Sequence, residues 1–124
     1  MTFIDTSNAP APGGHYSQAV VHNGLVYVAG ILPITADGQK LTEATIAGQT
    51  EQILANLDAI LQAAGSNRGN VLKITIFVSD ISAWSAVNQI YAQFFGDHRP
   101  ARTVVPVNTL HYGFSIELDA IATV

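Results

Sequence analysis

The chain predicts an α+β fold, a mixed sheet carrying both of its helices on one face. Three observations lead there. Residues 43–64 and 82–95 repeat apolar side chains at helical spacing, residues 71–79 and 114–123 alternate with period two, and an Asn23-Gly24 pair joins two β-rich runs. A length of 124 residues predicts a single domain spanning 1–124.

The elements follow in order. Residues 7–14, Ser-Asn-Ala-Pro-Ala-Pro-Gly-Gly, read as an irregular lead-in. Strands at about 18–22 and 25–30 flank Asn23-Gly24, the two-residue turn whose members tolerate positive φ. Residues 31–42 form a loop with Pro33 and an Asp37-Gly38 turn. From Glu43 to Ala64, Ile46, Ile53, Leu54, Leu57, Ile60, Leu61 and Ala64 share one helical face, with Thr42 as cap and Gly65 as stop. Val71–Ser79 reads as a strand with Leu72, Ile74, Ile76 and Val78 inward. The second helix, Ser82–Phe95, carries Trp84, Val87, Tyr91, Phe94 and Phe95 at core spacing and ends at Gly96. Strands near 102–107 and 114–123 complete the order β-β-α-β-α-β-β. The sheet face away from the helices is then left for partners.

Charge is sparse. Only 11% of residues are Asp, Glu, Lys or Arg, against about 25% in an ordinary soluble domain. A folded monomer of this mass exposes about 6,400 Å², so five basic and nine acidic residues are thinly spread. With 48% apolar residues, the composition points to an oligomer whose subunits cover one another. It is the reverse of a disordered composition. A net charge of −4 disfavours a phosphate-backbone binder, so no nucleic-acid partner is expected. No run reaches the roughly 18 apolar residues of a membrane span, so no membrane partner is expected either. Met1-Thr2-Phe3-Ile4-Asp5 has neither a basic leader nor an apolar core, and a cytoplasmic location is the expectation. The absence of cysteine removes disulfides, thiol nucleophiles and thiolate metal sites. The histidines, His15, His22, His98 and His111, lack paired spacing, so no metal is expected.

Two charged residues stand out because their neighbours are apolar. Arg102 begins Arg-Thr-Val-Val-Pro-Val. Its guanidinium has to find an anion or reach water, so it is either a salt-bridge partner, a snorkelling side chain, or a bidentate clamp for a small carboxylate. Glu117 lies in Phe-Ser-Ile-Glu-Leu-Asp-Ala-Ile-Ala, where alternation sets Glu117, Asp119 and Ile121 opposite Ile116, Leu118, Ala120 and Ala122. Burial there would raise its pKa and suit it to proton transfer; the alternatives are an ion pair with Arg102 or simple exposure. No serine-hydrolase elbow or phosphate loop is present.

Seven segments in order resemble the Rid/YjgF family of enamine/imine deaminases. Gly14-His15-Tyr16-Ser17-Gln18-Ala19-Val20 is similar to its G-P-Y-S-Q-A-V opening, and Val28-Ala29-Gly30-Ile31-Leu32-Pro33 to its S-G-Q-I-P segment. Gln49–Ser66 resembles the first helix and its exit, and Val71–Val78 the V-x-K-T-T-V-F-V strand. Val87–Phe95 matches V-N-x-x-Y-x-x-F-F, Pro100–Thr103 matches P-A-R-S/T, and Ile116–Ala122 matches I-E-x-x-A-I-A. The resemblance implies a chorismate-mutase-like fold, a homotrimer with sheets as an inner barrel and helices outside, and active sites in the clefts between subunits. It implies hydrolysis of small 2-imino acids and their enamine tautomers to 2-keto acids and ammonia, with no cofactor. Carried over, Arg102 holds the substrate carboxylate and Glu117 positions or activates water. Gly30 and Ile31 contact substrate through the backbone, and Tyr16, Asn88 and Val104 line or order the pocket.

The chain departs from the family pattern at His15, Ala29, Ile31, Val104 and His111-Tyr112. Ala29 and Val104 stand where Ser and Cys are frequent, which makes the implied pocket more apolar and brings larger or apolar imine side chains within its range. The alternative from another functional class is a non-catalytic trimer that binds small carboxylates or regulates a partner, keeping Arg102 as a clamp alone.

Overall fold

The computed structural model describes residues 1–124. Six strands, β1 (Thr2–Ile4), β2 (Ala19–His22), β3 (Leu25–Ile31), β4 (Val71–Val78), β5 (Ala101–Pro106) and β6 (Ile116–Thr123), form one sheet. Helix α1 (Ile46–Ala63) lies between β3 and β4 in sequence, and α2 (Trp84–Phe95) between β4 and β5. The sheet order is β1-β2-β3-β6-β4-β5, antiparallel throughout except for the parallel pair β4 and β5. The α+β class and the mixed sheet are as the sequence predicts.

Local chemistry sets the boundaries. Asn23 and Gly24 adopt φ of 51° and 77°, the left-handed pair that a tight hairpin requires. The hydroxyl of Thr45, not Thr42, caps α1 by accepting from Gly48 N at 3.1 Å. Thr42 instead donates to the Tyr112 carbonyl at 3.3 Å. A 3-10 turn, Ile81–Ala83, precedes α2, its N–H of Ser82 held by the Asp80 carboxylate at 2.9 Å.

Two details correct the pattern-based reading. The order lacks a strand: Thr2–Ile4 adds β1 to the sheet edge, with Phe3 opposite Val20. Leu72 is exposed rather than inward, because the β4 register with β6 shifts between Val71 and Lys73 and hands the inward place to Val71.

The core fills the space between sheet and helices. Ile53, Leu57 and Leu61 of α1 and Val87, Tyr91 and Phe95 of α2 meet Val26, Val28, Ile74, Ile76, Ile116, Leu118 and Ala120 of the sheet. Strand pairing assigns the opposite face. Phe3, Val20, Tyr27 and Ile121 stand side by side across β1, β2, β3 and β6 on the face without helices. Phe3 is 65% and Tyr27 46% exposed, so this apolar row is uncovered in the single chain. No helix is long and apolar enough to cross a membrane.

Candidate functional site

The first half of the site is a groove built on β3 and β6. Val28 pairs with Ala120 and Ile31 with Leu118, so Ala29 and Gly30 together oppose Asp119. This bulge brings Gly30 under the side chain of Glu117. A Cβ at position 30 would stand 2.8 Å from Glu117 Oε2, closer than ordinary packing allows, so the glycine makes room for the carboxylate.

Glu117 is half-buried on the helix-free face, opposite Phe77. Burial pushes its carboxyl above the ordinary 4.5, nearby Asp119 adds to the rise, and His111 opposes it. The chain's one ion pair joins Arg68 to Asp58 at 2.9 Å, so Glu117 makes no salt bridge within the chain.

Around it lies a groove of about 700 Å³ lined by Pro10, Pro12, Tyr16, Gly30, Ile31, Leu32, Lys40, His111, Tyr112 and Glu117 among others. Tyr16 is 52% exposed and its hydroxyl accepts from Gly13 N at 3.2 Å. Ile31 is 5% exposed with its side chain in the core, which leaves its backbone to face the groove.

Three buried amides hold the groove's loops. Gln18 accepts from Thr6 N at 2.7 Å and donates to the carbonyls of Thr6 and Pro10, both at 3.0 Å. Asn56 on α1 donates to the Ile34 carbonyl at 2.8 Å. Gln49 accepts from Ser115 N at 2.9 Å and donates to the Ala44 carbonyl at 3.2 Å, fixing the chain just before β6. Sequence reasoning assigned none of the three a role. The only signal was their type: a buried amide among apolar neighbours, on α1 for Gln49 and Asn56 and just before β2 for Gln18, satisfies its burial through loop backbone.

The second half lies elsewhere. Arg102 and Val104 pair with Ile74 and Ile76, which puts them on the helix-covered side of edge strand β5. Arg102 Nη1 donates to Asn88 Oδ1 of α2 at 3.0 Å. Its guanidinium carbon stands 4.5 Å from the Trp84 ring centroid and 4.9 Å from that of Tyr91. The Tyr91 hydroxyl is buried with no hydrogen-bond partner. Burial raises its pKa from 10.0, and Arg102, whose N–H groups lie near the hydroxyl without meeting hydrogen-bond geometry, draws it part of the way back through its charge and those N–H groups. Val104 packs against the core.

The predicted site residues therefore fall into two groups: Tyr16, Gly30, Ile31 and Glu117 in the groove, and Asn88, Arg102 and Val104 around the β5 edge. Glu117 aligns with Phe77 and Val105, two strands over and three residues along from Arg102. That is about 14 Å between backbones, on opposite faces. The anticipated pairing of Glu117 with Arg102 inside one chain does not form. No three His, Asp or Glu side chains gather as a metal-binding set.

Comparison with known proteins bears on what the groups belong to. The family model described as Endoribonuclease L-PSP matches residues 6–124. The 2-iminobutanoate/2-iminopropanoate deaminase of Rattus norvegicus is 40% identical over 119 residues, covering 96% of this chain and 87% of the rat protein. YyfA of Yersinia pestis, a Rid-family protein of unknown function, superposes with a TM-score of 0.95 at 42% identity, over 99% of this chain and 98% of that one. TdcF of E. coli with bound serine gives 0.94 at 32% identity, over 100% of this chain and 99% of that one.

Proposed function

The chain belongs to the endoribonuclease L-PSP family, which is the YjgF/Rid family, and on that premise we propose that it hydrolyses small 2-imino acids and their enamine tautomers to 2-keto acids and ammonia. The observation that carries the reading is Glu117: a half-buried carboxylate with a raised pKa, facing a groove, with a glycine beneath it. The name of the rat relative, a deaminase of such imines, and the serine bound to TdcF, an amino acid of similar size, support the substrate class.

The chemistry asks little of the protein, since an imine carbon is already electrophilic and needs an oriented substrate and a delivered water. Arg102 clamps the α-carboxylate through paired N–H donors. Glu117 accepts a proton from the attacking water as its oxygen bonds to the imine carbon. Returning that proton to nitrogen converts the amine of the carbinolamine into a leaving group. The C–N bond breaks, the hydroxyl gives its proton to the again-free Glu117 carboxylate as the C=O bond forms, and ammonia departs. Enamines enter once a proton has moved to their β-carbon.

Arg102 and Glu117 are too far apart within one chain to touch one small molecule, so the site is shared. We assign it to a cleft in which the β5 edge of one copy meets the Glu117 groove of another, as expected of a homotrimer. Ribonuclease activity has weaker support, because only five basic residues are available against a net charge of −4.

The test generates imines from a panel of amino acids with an amino-acid oxidase and follows keto-acid release. Wild type is expected to accelerate release well above buffer. Arg102→Ala is expected to lose about a hundredfold or more in kcat/KM, since both affinity and alignment go. Gly30→Ala, which displaces the Glu117 carboxylate, is expected to lose about tenfold. Release no faster than in buffer across the panel would sink the deaminase reading. If 2-keto acids nevertheless bind tightly, the non-catalytic carboxylate binder takes its place.

A further inference from the structure

Trp84 and Tyr91 look like core aromatics in the sequence, yet the faces they present are occupied by a cation. Trp84, Asn88 and Tyr91 are spaced i, i+4, i+7 along α2, so all three project from one side of the helix. That side meets Arg102: two ring faces lie within 5 Å of the guanidinium carbon, and Asn88 Oδ1 lies 3.0 Å from Nη1.

We propose that Trp84 and Tyr91 are positioning residues that hold the Arg102 guanidinium flat and charged, with a free edge toward its ligand carboxylate. This rests on the reading of Arg102 as the carboxylate clamp.

Arg68 provides the contrast within the same chain. It too lies over an aromatic ring, Phe94, at 3.9 Å, but it is closed by the Asp58 carboxylate at 2.9 Å and the Phe94 carbonyl at 3.1 Å. Three of its five N–H donors are taken and its charge is paired. Arg102 has rings where Arg68 has a carboxylate. A ring face attracts the cation through its quadrupole without cancelling its charge and without taking an N–H. Asn88 accepts one of the five N–H donors through a neutral oxygen. The rotational freedom of a long side chain is lost at folding rather than at binding, and the remaining donors stay available for a bidentate partner.

Trp84 is the chain's one tryptophan, so its emission reports directly on the stacked cation. The experiment titrates the assembled protein with 2-oxobutanoate, measuring Trp84 fluorescence and, independently, heat of binding. It then compares steady-state imine hydrolysis by Trp84→Leu, Tyr91→Leu, Trp84→Phe and Tyr91→Phe. The emission of wild type is expected to change saturably with the same midpoint as the heat. Each Leu variant is expected to raise KM about fivefold with kcat within about twofold, the size of one lost cation–π contact. Each Phe variant, which keeps a ring over the guanidinium, is expected to restore KM to within about twofold of wild type.

Leu variants of wild-type melting temperature and mass with unchanged KM would overturn the proposal. If they fail to fold, flat Trp84 emission through a calorimetrically saturating titration overturns it instead. The deaminase reading fails separately: binding that shifts Trp84 emission, with no imine turnover, leaves the cradle standing and removes the enzyme. Turnover with unchanged KM in the Leu variants does the reverse.

Discussion

Glu117 is a carboxylate that folding has made harder to ionise. Its pKa is raised relative to the unfolded chain, so between about 4.5 and the folded value the native state holds more protons than the unfolded one, and stability falls as pH rises through that window. Below the window both states are protonated and nothing is lost. Glu117→Gln is therefore expected to be more stable than wild type at neutral pH, by at most about 1 kcal/mol because the group is half-exposed and screened, and equal to it near pH 4. Denaturant midpoints at the two pH values check this; a variant less stable than wild type at neutral pH would contradict the burial argument. Activity should rise with pH through the same window and be absent in the variant. Arg102 and Glu117 were individually legible as charges set among apolar neighbours in strands. Their separation was not: whether Arg102 faces the helices depends on its pairing with Ile74, a register set by a distant strand. The partners of Arg102 were equally hidden, since Trp84 and Tyr91 fit a core stripe as well as a cation cradle.

Among the elements, the amide clamps do what hydrophobic packing cannot. The segment before β2 has few buried apolar side chains, and Gln18, 4% exposed, ties it down through three backbone bonds. Gln18→Ala leaves a buried N–H and two carbonyls without partners and is expected to cost about 2 kcal/mol. Hydrogen exchange should show residues 2–12 opening faster while α1 and β6 stay protected; uniform acceleration across the chain would mean that Gln18 supports the fold as a whole instead. The helices were legible because 3.6-residue periodicity runs through many residues. The edge strand β1 was not, because three residues are too few for alternation to register. The start of α1 slipped by one turn because Thr42 and Thr45 are both competent caps and only tertiary contact with Tyr112 decides between them. Leu72 was misplaced because a bulge leaves no local trace in composition.

For the whole molecule, the sparse charge and the uncovered row Phe3, Val20, Tyr27 and Ile121 point the same way. A face of this kind suits cover by another copy, and the proposed site, split between opposite faces of one sheet, requires such a neighbour to be complete. Light scattering is expected to give a mass of three times 13.1 kDa. Ile121→Lys, placing a charge in the middle of that row, should shift the population to monomers and lose activity together with assembly. A wild-type monomer at micromolar concentration would undo both the interface and the shared site.

The position of β6 in the sheet has a consequence for how the protein is made. It hydrogen-bonds to β3 on one side and β4 on the other, yet follows both in the chain. As the polypeptide leaves the ribosome, β3 with its hairpin and β4 with its crossover helix can each collapse, but neither can join the other. Two bare apolar strand edges wait until residues 116–123 emerge and slot between them. Folding of this chain is thus gated by its latest strand: a truncation within β6 unseats both halves of the sheet, and the nascent chain is at its most aggregation-prone just before that strand emerges.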